Sequence, residues 1–315
     1  MRIVNPTVEI WDYAQADILK HIERCGRVCY KSEDKITEGS AEKFVAGIIK
    51  RGHEAVLEHG TLAFEIRYYV YNWFRDAMDL LRDHGVLSYL NLTGRPPYYI
   101  ISGNIRAWRD FIKACEQYTT IVPSYLYPVI RSHPALFPEW LNIIDDVDSA
   151  ELRPLCDGWT CTPPDHDVHK YYTVKFVCDR GISHEIVRHR LASYCQESTR
   201  YCNYSKEGFG GEITVVKPNF IDERTWAWNR WKRSCEAAEM TYFDMLDYGM
   251  TPQQARCILP NSLKTEVVMT ANLAEWKHFL KLRCSAAAHP QMREVARMVA
   301  DQFLDRGILQ EDYYA

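Results

Sequence analysis

Residues 188–200 read RHRLASYCQESTR, and no other stretch of this 315-residue chain says as much about its fold and function. The segment gathers three arginines, one histidine and two serines in a protein whose formal net charge is -4. Guanidinium groups match phosphate or carboxylate oxygens, and serine hydroxyls and backbone amides supply further donors. A solvated basic turn is the common alternative for such a cluster, but here Leu191 and Ala192 interrupt the charges. The segment therefore predicts a local anion-binding site.

The composition is that of a globular protein of enzyme size. Apolar residues make up 47% of the chain and charged residues 25%, which is ordinary for a chain with a buried core. The negative net charge argues against general binding of nucleic acid, which needs many lysine and arginine contacts to phosphate. No long apolar run or export signal occurs, so we expect no membrane association. The eleven cysteines are odd in number and scattered, and we expect reduced thiols in the cytoplasm.

One strand is predicted on each side of a segment whose composition differs from the rest of the chain. Apolar residues alternate with polar ones at 62–66 and again at 172–178, which is strand periodicity. Repeated prolines break the chain between them, where the clearest element is a helix at about 104–117. We therefore expect a helical and loop insertion at about 69–170.

Capping residues mark further helices. A Ser, Thr, Asp or Asn before an apolar periodic run predicts a helix start, and a Gly after it predicts the end. The tryptophans at 226, 228 and 231 are interpreted as core or subunit contacts. The predicted helices are one at 41–51 between Ser40 and Gly52, one at 222–248 capped by Asp222 and ended by Gly249, and two that begin at Thr251 and Asn272.

Several familiar site motifs are absent. The chain has no Walker loop, Rossmann fingerprint or serine nucleophile elbow, so any bound phosphate would be held by side chains. Cys156, Cys161, His166 and His169 are residue types that zinc prefers. Their spacing leaves little chain to fold around an ion, so a polar loop is favoured and no metal is expected. His53 and His59 stand before the first strand, where a turn role and a catalytic or cofactor role are equally favoured.

The chain resembles the flavin-dependent thymidylate synthases in the signature R-H-R-x-x-S-x-x-x-x-S-x-R, which residues 188–200 match at each fixed position. The resemblance covers about the first seventy residues and the chain from about Tyr171 onward. It implies an α+β fold: a single domain at 1–315 with a mixed, largely antiparallel sheet packed by helices, interrupted by the insertion. It also implies a homotetramer whose active sites are shared between subunits.

The reaction that the resemblance implies is reductive methylation of dUMP to dTMP. Methylenetetrahydrofolate would donate the carbon, and FAD reduced by NADPH would supply hydride. By position, the residues implied for FAD binding are His53, Ala55, Arg188, His189, Arg190, Gln196, Asn272, Ala274 and His278. Those implied for dUMP binding are Glu185, Arg188, Gln196, Glu197, Ser198, Thr199, Arg200, Arg256 and Arg283.

Arg283 resembles the residue that activates the pyrimidine. A fixed cation beside uracil N3 and O4 favours loss of the N3 proton or negative charge on O4, which enriches C5 in electrons. An arginine at a helix C-terminus that interacts only with the helix dipole is the alternative. Cys195 lies at a variable position of the signature, so we interpret it as a spectator rather than a nucleophile.

Three positions depart from the family pattern. Glu185 stands where Gln is more frequent, Gln196 where Glu is frequent, and Ala55 where Ser or Thr is usual, so Ala55 would contact FAD through its backbone alone. Two other functions stay open. One is a different flavin oxidoreductase acting on a phosphorylated substrate, and the other is a non-enzymatic nucleotide- or RNA-binding protein that stacks bases on Tyr194, Tyr201 and Tyr204.

Overall fold

A computed structural model describes residues 1–13, 15–95, 98–143, 152–154, 167–205 and 210–310. In this part of the chain ten strands and ten α-helices alternate irregularly along the sequence. The strands are β1 (Arg2–Val4), β2 (Thr7–Trp11), β3 (Thr61–Ile66), β4 (Asn91–Arg95), β5 (Tyr98–Asn104), β6 (Leu152–Pro154), β7 (Tyr171–Asp179), β8 (Ser193–Gln196), β9 (Thr214–Val216) and β10 (Lys264–Asn272). The helices are α1 (Ile18–Val28), α2 (Ser40–Lys50), α3 (Tyr68–Asp83), α4 (Ile105–Thr119), α5 (Tyr127–Ser132), α6 (Arg180–Ile186), α7 (Trp226–Asp247), α8 (Pro252–Ala255), α9 (Leu273–Arg283) and α10 (Pro290–Asp305).

The strands form three sheets. One has the order β2-β7-β10-β8 and a second has the order β4-β5-β3-β6, and all neighbours within these two sheets are antiparallel. β1 and β9 make a separate parallel pair. The mixed, largely antiparallel character is therefore confirmed, but its strands are divided between two main sheets where we expected one.

Each four-stranded sheet belongs to its own hydrophobic core. The sheet that contains β7 and β10 packs on α6, α9 and α10, around buried Trp276, Phe279 and Phe303. The sheet that contains β3 and β5 packs with α1 to α4, around buried Phe64, Phe74 and Trp108. The two cores lie on either side of the 3-10 segment Glu54–His59, which contacts both β8 and α4.

The segment 69–170 is more than helix and loop. It holds β4, β5 and β6, and β3 pairs with both β5 and β6. The expectation of helices and loops alone was wrong in this respect, since the Tyr and Ile residues of β5 favour a strand and Tyr99 and Ile101 are buried in the sheet. That the segment is an insertion stays a prediction.

Most predicted elements exist, with two corrections at helix starts. Ser40 does not cap α2, because Gly39 is the cap residue and the Ser40 hydroxyl donates to Glu23 and to the Thr37 carbonyl. Asp222 does not cap α7, because its carboxylate accepts from Arg224 and the Thr225 hydroxyl caps the helix instead.

Candidate functional site

The signature segment 188–200 follows α6 and contains β8. Asp179 caps α6 by accepting from the amide of Ile182 at 2.8 Å, which fixes where the helix starts. After β8 begins, the Tyr194 hydroxyl lies 3.0 Å from the carbonyls of both Ile186 and His189. The turn at 187–192 is therefore tied at both ends, and its arginines are presented from a fixed backbone.

Arg283, His189 and Glu185 form one hydrogen-bonded cluster. At the end of α9, the Arg283 Nε donates to His189 Nε2 at 2.8 Å. Its Nη1 donates to Glu185 Oε2 at 2.7 Å, and its Nη2 lies 3.3 Å from the Glu185 carbonyl oxygen. The structure thus brings together three residues that the sequence separates by up to 98 positions.

His189 is a neutral hydrogen-bond acceptor. Burial, with the nearby charge of Arg283, lowers the pKa of His189 to about 4. The ring is in edge contact with Phe279, with 4.8 Å between ring centroids, and it lies 6.2 Å from the exposed ring of His278. Because His189 Nε2 accepts from Arg283, the other ring nitrogen carries the proton in this arrangement. The Arg283 guanidinium is consequently oriented by one neutral and one anionic partner.

A second cluster of cations lies beyond β8. The Arg256 guanidinium donates to the Thr199 hydroxyl at 3.3 Å, and Arg200 Nε donates to Gln253 Oε1 at 2.9 Å. The amide of Arg200 donates to the Ser198 hydroxyl at 3.3 Å. Arg200 and Arg256 are exposed, so their remaining donors face solvent. This corner offers guanidinium, hydroxyl and backbone donors, which is the donor set that a phosphate monoester needs.

Gln196 is half-buried and Glu197 is buried, and both side chains are hydrogen-bonded within the protein. Gln196 Nε2 donates to the hydroxyls of Ser183 and Thr265 at 2.8 and 3.3 Å. The Glu197 side chain is 2% exposed and accepts from Lys264 Nζ at 2.8 Å. A ligand contact from Glu197 would therefore have to come from its backbone, whose amide already donates to the Glu266 carbonyl.

Glu266 is the centre of a buried ion cluster that sequence reasoning missed. Lys31, Lys175 and Lys264 all pair with its carboxylate, which is 8% exposed. These three cations hold the pKa of Glu266 well below its usual range, although burial acts in the opposite direction. The three lysines come from separate parts of the chain: Lys31 follows α1, Lys175 lies in β7, and Lys264 lies in β10 with Glu266. No local sequence spacing therefore indicates the cluster.

The two histidines before β3 differ in their exposure to solvent. His53 and Ala55 lie exposed at the start of the 3-10 segment, where both could meet a ligand. His59 is fully buried, its Nδ1 lies 2.8 Å from the Thr270 hydroxyl, and burial lowers its pKa to about 4. A turn and packing role therefore fits His59, whereas the role of His53 stays a prediction.

A cleft of about 430 Å³ lies between the two cores. It is lined by Leu191, Ser193 and Asn272, and also by Tyr89 and Arg106 from the predicted insertion. Asn272 also caps α9 by accepting from the amide of Glu275 at 2.9 Å, as predicted. Ala274 lies in the first turn of that helix.

The residues implied for FAD fit such a cofactor by their chemistry. Arg188 and Arg190 are exposed on the fixed turn, where guanidinium groups match a diphosphate. Neutral His189 and the amide of Asn272 are groups suited to neutral parts of a dinucleotide. The cleft beside them has the size of an ordinary small-molecule site, about 300–1,000 Å³.

The described residues hold no group of three or more His, Cys, Asp or Glu side chains suited to a metal ion. Cys156, Cys161 and His166 lie outside the described residues. His169 is buried, and its two ring nitrogens each lie 2.7 Å from a hydroxyl, that of Thr93 or that of Ser102. Among the described helices, none combines the length and apolarity that crossing a membrane requires.

Comparisons with known proteins agree with the signature. The family model described as "Thymidylate synthase complementing protein" matches residues 10–78 and 168–306. A flavin-dependent thymidylate synthase of Pyrococcus furiosus is 36% identical over 129 residues, which are 41% of this chain and 52% of that protein. The one from Pyrococcus horikoshii is 32% identical over 185 residues, 52% of this chain and 75% of that protein.

The chain spans about half the length of the first of these curated relatives. Among solved structures, thymidylate synthase X from Helicobacter pylori with FAD and dUMP is 23% identical, with 46% of this chain and 73% of that chain covered and a TM-score of 0.37. The family model matches well over half of the chain and includes the whole of the signature segment. The chain therefore belongs to the flavin-dependent thymidylate synthase family.

Proposed function

We propose that this protein is a flavin-dependent thymidylate synthase that methylates dUMP reductively to dTMP. Methylenetetrahydrofolate would be the carbon donor and NADPH the source of the hydride. The observation that carries the proposal is the cluster in which Arg283 is oriented by His189 and Glu185, in a chain that belongs to this family. FAD, when bound, supplies a carrier that accepts a hydride from NADPH and delivers it during methylation.

Arg283 is the proposed activating residue. The Arg283 side chain is 21% exposed, and two partners hold its guanidinium. The charge is therefore both accessible and preorganised. A fixed cation of this kind beside uracil O4 stabilises negative charge on that oxygen and makes C5 a better nucleophile. The surroundings go beyond the dipole interaction of an ordinary helix-terminal arginine, because they orient the charge.

The dUMP phosphate would bind at the corner formed by Ser198, Thr199, Arg200 and Arg256. The hydrogen bonds of Arg256 to Thr199 and of Arg200 to Gln253 bring two guanidinium groups to the same loop. Glu185 would lie near the uracil edge through its contact with Arg283. FAD would lie along Arg188, His189 and Arg190, which precede β8 on the fixed turn.

Further proposals follow from family membership. They are a homotetramer with shared active sites, a cytoplasmic location, and a single domain at 1–315 whose insertion at about 69–170 is additional to the catalytic part. The exposed α7 supports the tetramer: of its 22 residues only Cys235 and Tyr242 are buried, and Trp226 is 72% exposed. Trp226 and Met240, the latter 63% exposed, are the large apolar side chains of α7 that a contact between subunits would cover.

The experiment is a visible absorption spectrum of the purified protein with added FAD, followed by oxidation of the NADPH-reduced flavin with and without dUMP. We expect a bound flavin whose reduction and reoxidation respond to dUMP. A bound flavin that ignores dUMP would favour the other flavin oxidoreductases. A protein that binds no flavin but shifts the mobility of an oligonucleotide would favour the non-enzymatic alternative.

A further inference from the structure

Two cysteine side chains meet next to the signature segment. Cys29 directly follows α1, and Cys195 lies in β8, opposite Val268 of β10. Cys195 is 3% exposed and belongs to a small hydrophobic cluster that includes Trp11 and Val268. The half-buried Cys29 packs against the same cluster. The fold therefore places two thiols together that lie far apart in the sequence.

The two thiols differ in how readily they ionise. The Cys195 thiol donates a hydrogen bond to the Cys29 sulfur, and this bond, together with one from the Gln196 amide, lowers the pKa of Cys29 although burial opposes the change. The same bond to Cys29, with burial, raises the pKa of Cys195 well above its ordinary value. Cys29 is thus the thiol that ionises first and that solvent reaches. A partly exposed thiolate beside a second thiol is the arrangement in which oxidation produces a disulfide.

The third thiol of the cluster, that of Cys25, is less suited to this reaction. Its side chain is fully buried, and its sulfur lies 3.7 Å from His21 Nε2. Burial raises the pKa of the Cys25 thiol, so the group stays protonated at neutral pH. Of the two neighbours of Cys29 in this cluster, Cys195 is therefore the one that can resolve an oxidised Cys29.

Cys29 is also connected to the loop that follows β8. Its carbonyl oxygen accepts from the Ser198 amide at 3.0 Å. The ring of the next residue, Tyr30, lies 5.1 Å from the ring of Tyr201, measured between centroids. Ser198 belongs to the corner proposed for the dUMP phosphate. A displacement of Cys29 would therefore move a backbone donor of that corner.

We propose that Cys29 and Cys195 are an oxidation site, at which a peroxide converts the two thiols reversibly to a disulfide that weakens dUMP binding. The disulfide itself depends only on the two thiols, whereas its effect on dUMP rests on the proposed function. A covalent bond holds two sulfur atoms closer than a hydrogen bond does. Closing it therefore draws Cys29 and β8 together, and the Ser198 amide shifts with them.

The reaction balances with hydrogen peroxide as the oxidant. The Cys29 thiolate attacks one peroxide oxygen, the O–O bond breaks, and a sulfenic acid forms while the other oxygen leaves as water after taking up a proton. The Cys195 sulfur then attacks the Cys29 sulfur, and the sulfenic hydroxyl leaves as a second water with the Cys195 proton. The two sulfurs together lose two electrons, which the peroxide gains. Added thiols reverse the reaction by exchange with the disulfide.

The test treats the purified protein, with FAD added, with hydrogen peroxide, then blocks the remaining thiols with iodoacetamide and digests without reduction. Trypsin releases Cys29 in peptide 28–31 and Cys195 in peptide 191–200, and neither peptide contains another cysteine. We expect mass spectrometry to show these two peptides linked, two hydrogens lighter than their sum, and separated by dithiothreitol. The dissociation constant of dUMP, measured by calorimetry, should rise about tenfold on oxidation, the order of one lost hydrogen bond to a charged group. Dithiothreitol should restore it.

Three variants show whether the effect belongs to this pair. Cys29→Ser and Cys195→Ala should form no linked peptide, and their affinity for dUMP should be the same before and after peroxide. Cys25→Ala is the matched control, since it removes the third thiol of the cluster, and it should respond as the wild-type protein does. Each variant is compared with itself before and after oxidation, and thermal unfolding of the reduced form shows that it is folded.

Two results overturn the inference. If Cys29 stays a free thiol, becomes a sulfinic acid or links to another cysteine, the two residues are not the proposed oxidation site. If the disulfide forms but dUMP affinity changes by less than about twofold, the bond does not reach the phosphate corner. A protein that forms the disulfide but binds no dUMP even when reduced would support the oxidation site and contradict the proposed function, which separates the two failures.

Discussion

Replacing Arg283 by lysine should keep the flavin and lose most of the methylation. Arg283 donates from Nε to His189 at 2.8 Å and from Nη1 to Glu185 at 2.7 Å. A lysine keeps the charge, but its single ammonium lacks the planar fork that reaches two partners in fixed directions. A hydrogen bond to a charged group contributes about 1.5–3 kcal/mol. If the transition state loses that much stabilisation because the charge is no longer oriented, kcat/KM for dUMP falls roughly 10- to 150-fold.

The assay is initial-rate formation of dTMP at varied dUMP, with the flavin content of each preparation measured first by absorbance. Arg306→Lys is the matched control, because Arg306 pairs with Asp12 and lies in none of the proposed sites. The control should keep wild-type kcat/KM. If the Arg283→Lys enzyme has a kcat/KM for dUMP within about threefold of the wild-type value, at equal flavin content, an oriented charge at Arg283 is not needed for the reaction.

Three further predictions concern stability and phosphate binding. Burial lowers the pKa of His59 to about 4, so the stability tied to its neutral form is complete above pH 6.5 and lost as the pH falls towards 4. His59 should account for about 2–3 kcal/mol of the fall in urea-unfolding free energy between pH 7.5 and 4.5, and His59→Gln should remove that part; an unchanged fall would contradict it. Glu266→Gln leaves three lysines without their shared carboxylate and should cost about 3–5 kcal/mol in unfolding free energy at neutral pH, and a loss below about 1 kcal/mol would contradict the cluster's importance. Arg256→Ala should weaken dUMP binding by about 1.5–3 kcal/mol with little effect on FAD binding, measured by calorimetry, and equal weakening of both ligands would place Arg256 elsewhere.

Local signals predicted elements well where a cap residue acts on its own helix. Asn104 and Asn272 both accept from a backbone amide three residues on, as their sequence context indicates. Ser40 and Asp222 are also of residue types that favour helix caps, but they bond elsewhere, to Glu23 and to Arg224. The competing partner of Ser40 comes from another helix, so no pattern within residues 40–50 could have revealed it.

The candidate site was predictable only in part, for the same reason. The spacing within residues 188–200 is local and leads to the family, and the roles of Arg256 and Arg283 are only implied by the resemblance. The bridge from Ser193 through Glu58 to Arg106 joins residues up to 135 positions apart, and only the packing of the two sheets brings them together. The strands within residues 69–170 were missed because the prolines and short apolar runs of this segment resemble loops.

Reductive methylation of dUMP is tested by following the isotope from methylenetetrahydrofolate labelled with ¹³C in its methylene group, in an assay with dUMP, FAD and NADPH. We expect the label in the methyl group of dTMP, and no labelled dTMP when either NADPH or FAD is omitted. A protein that binds FAD and oxidises NADPH but leaves dUMP unlabelled, with all components present, would contradict it.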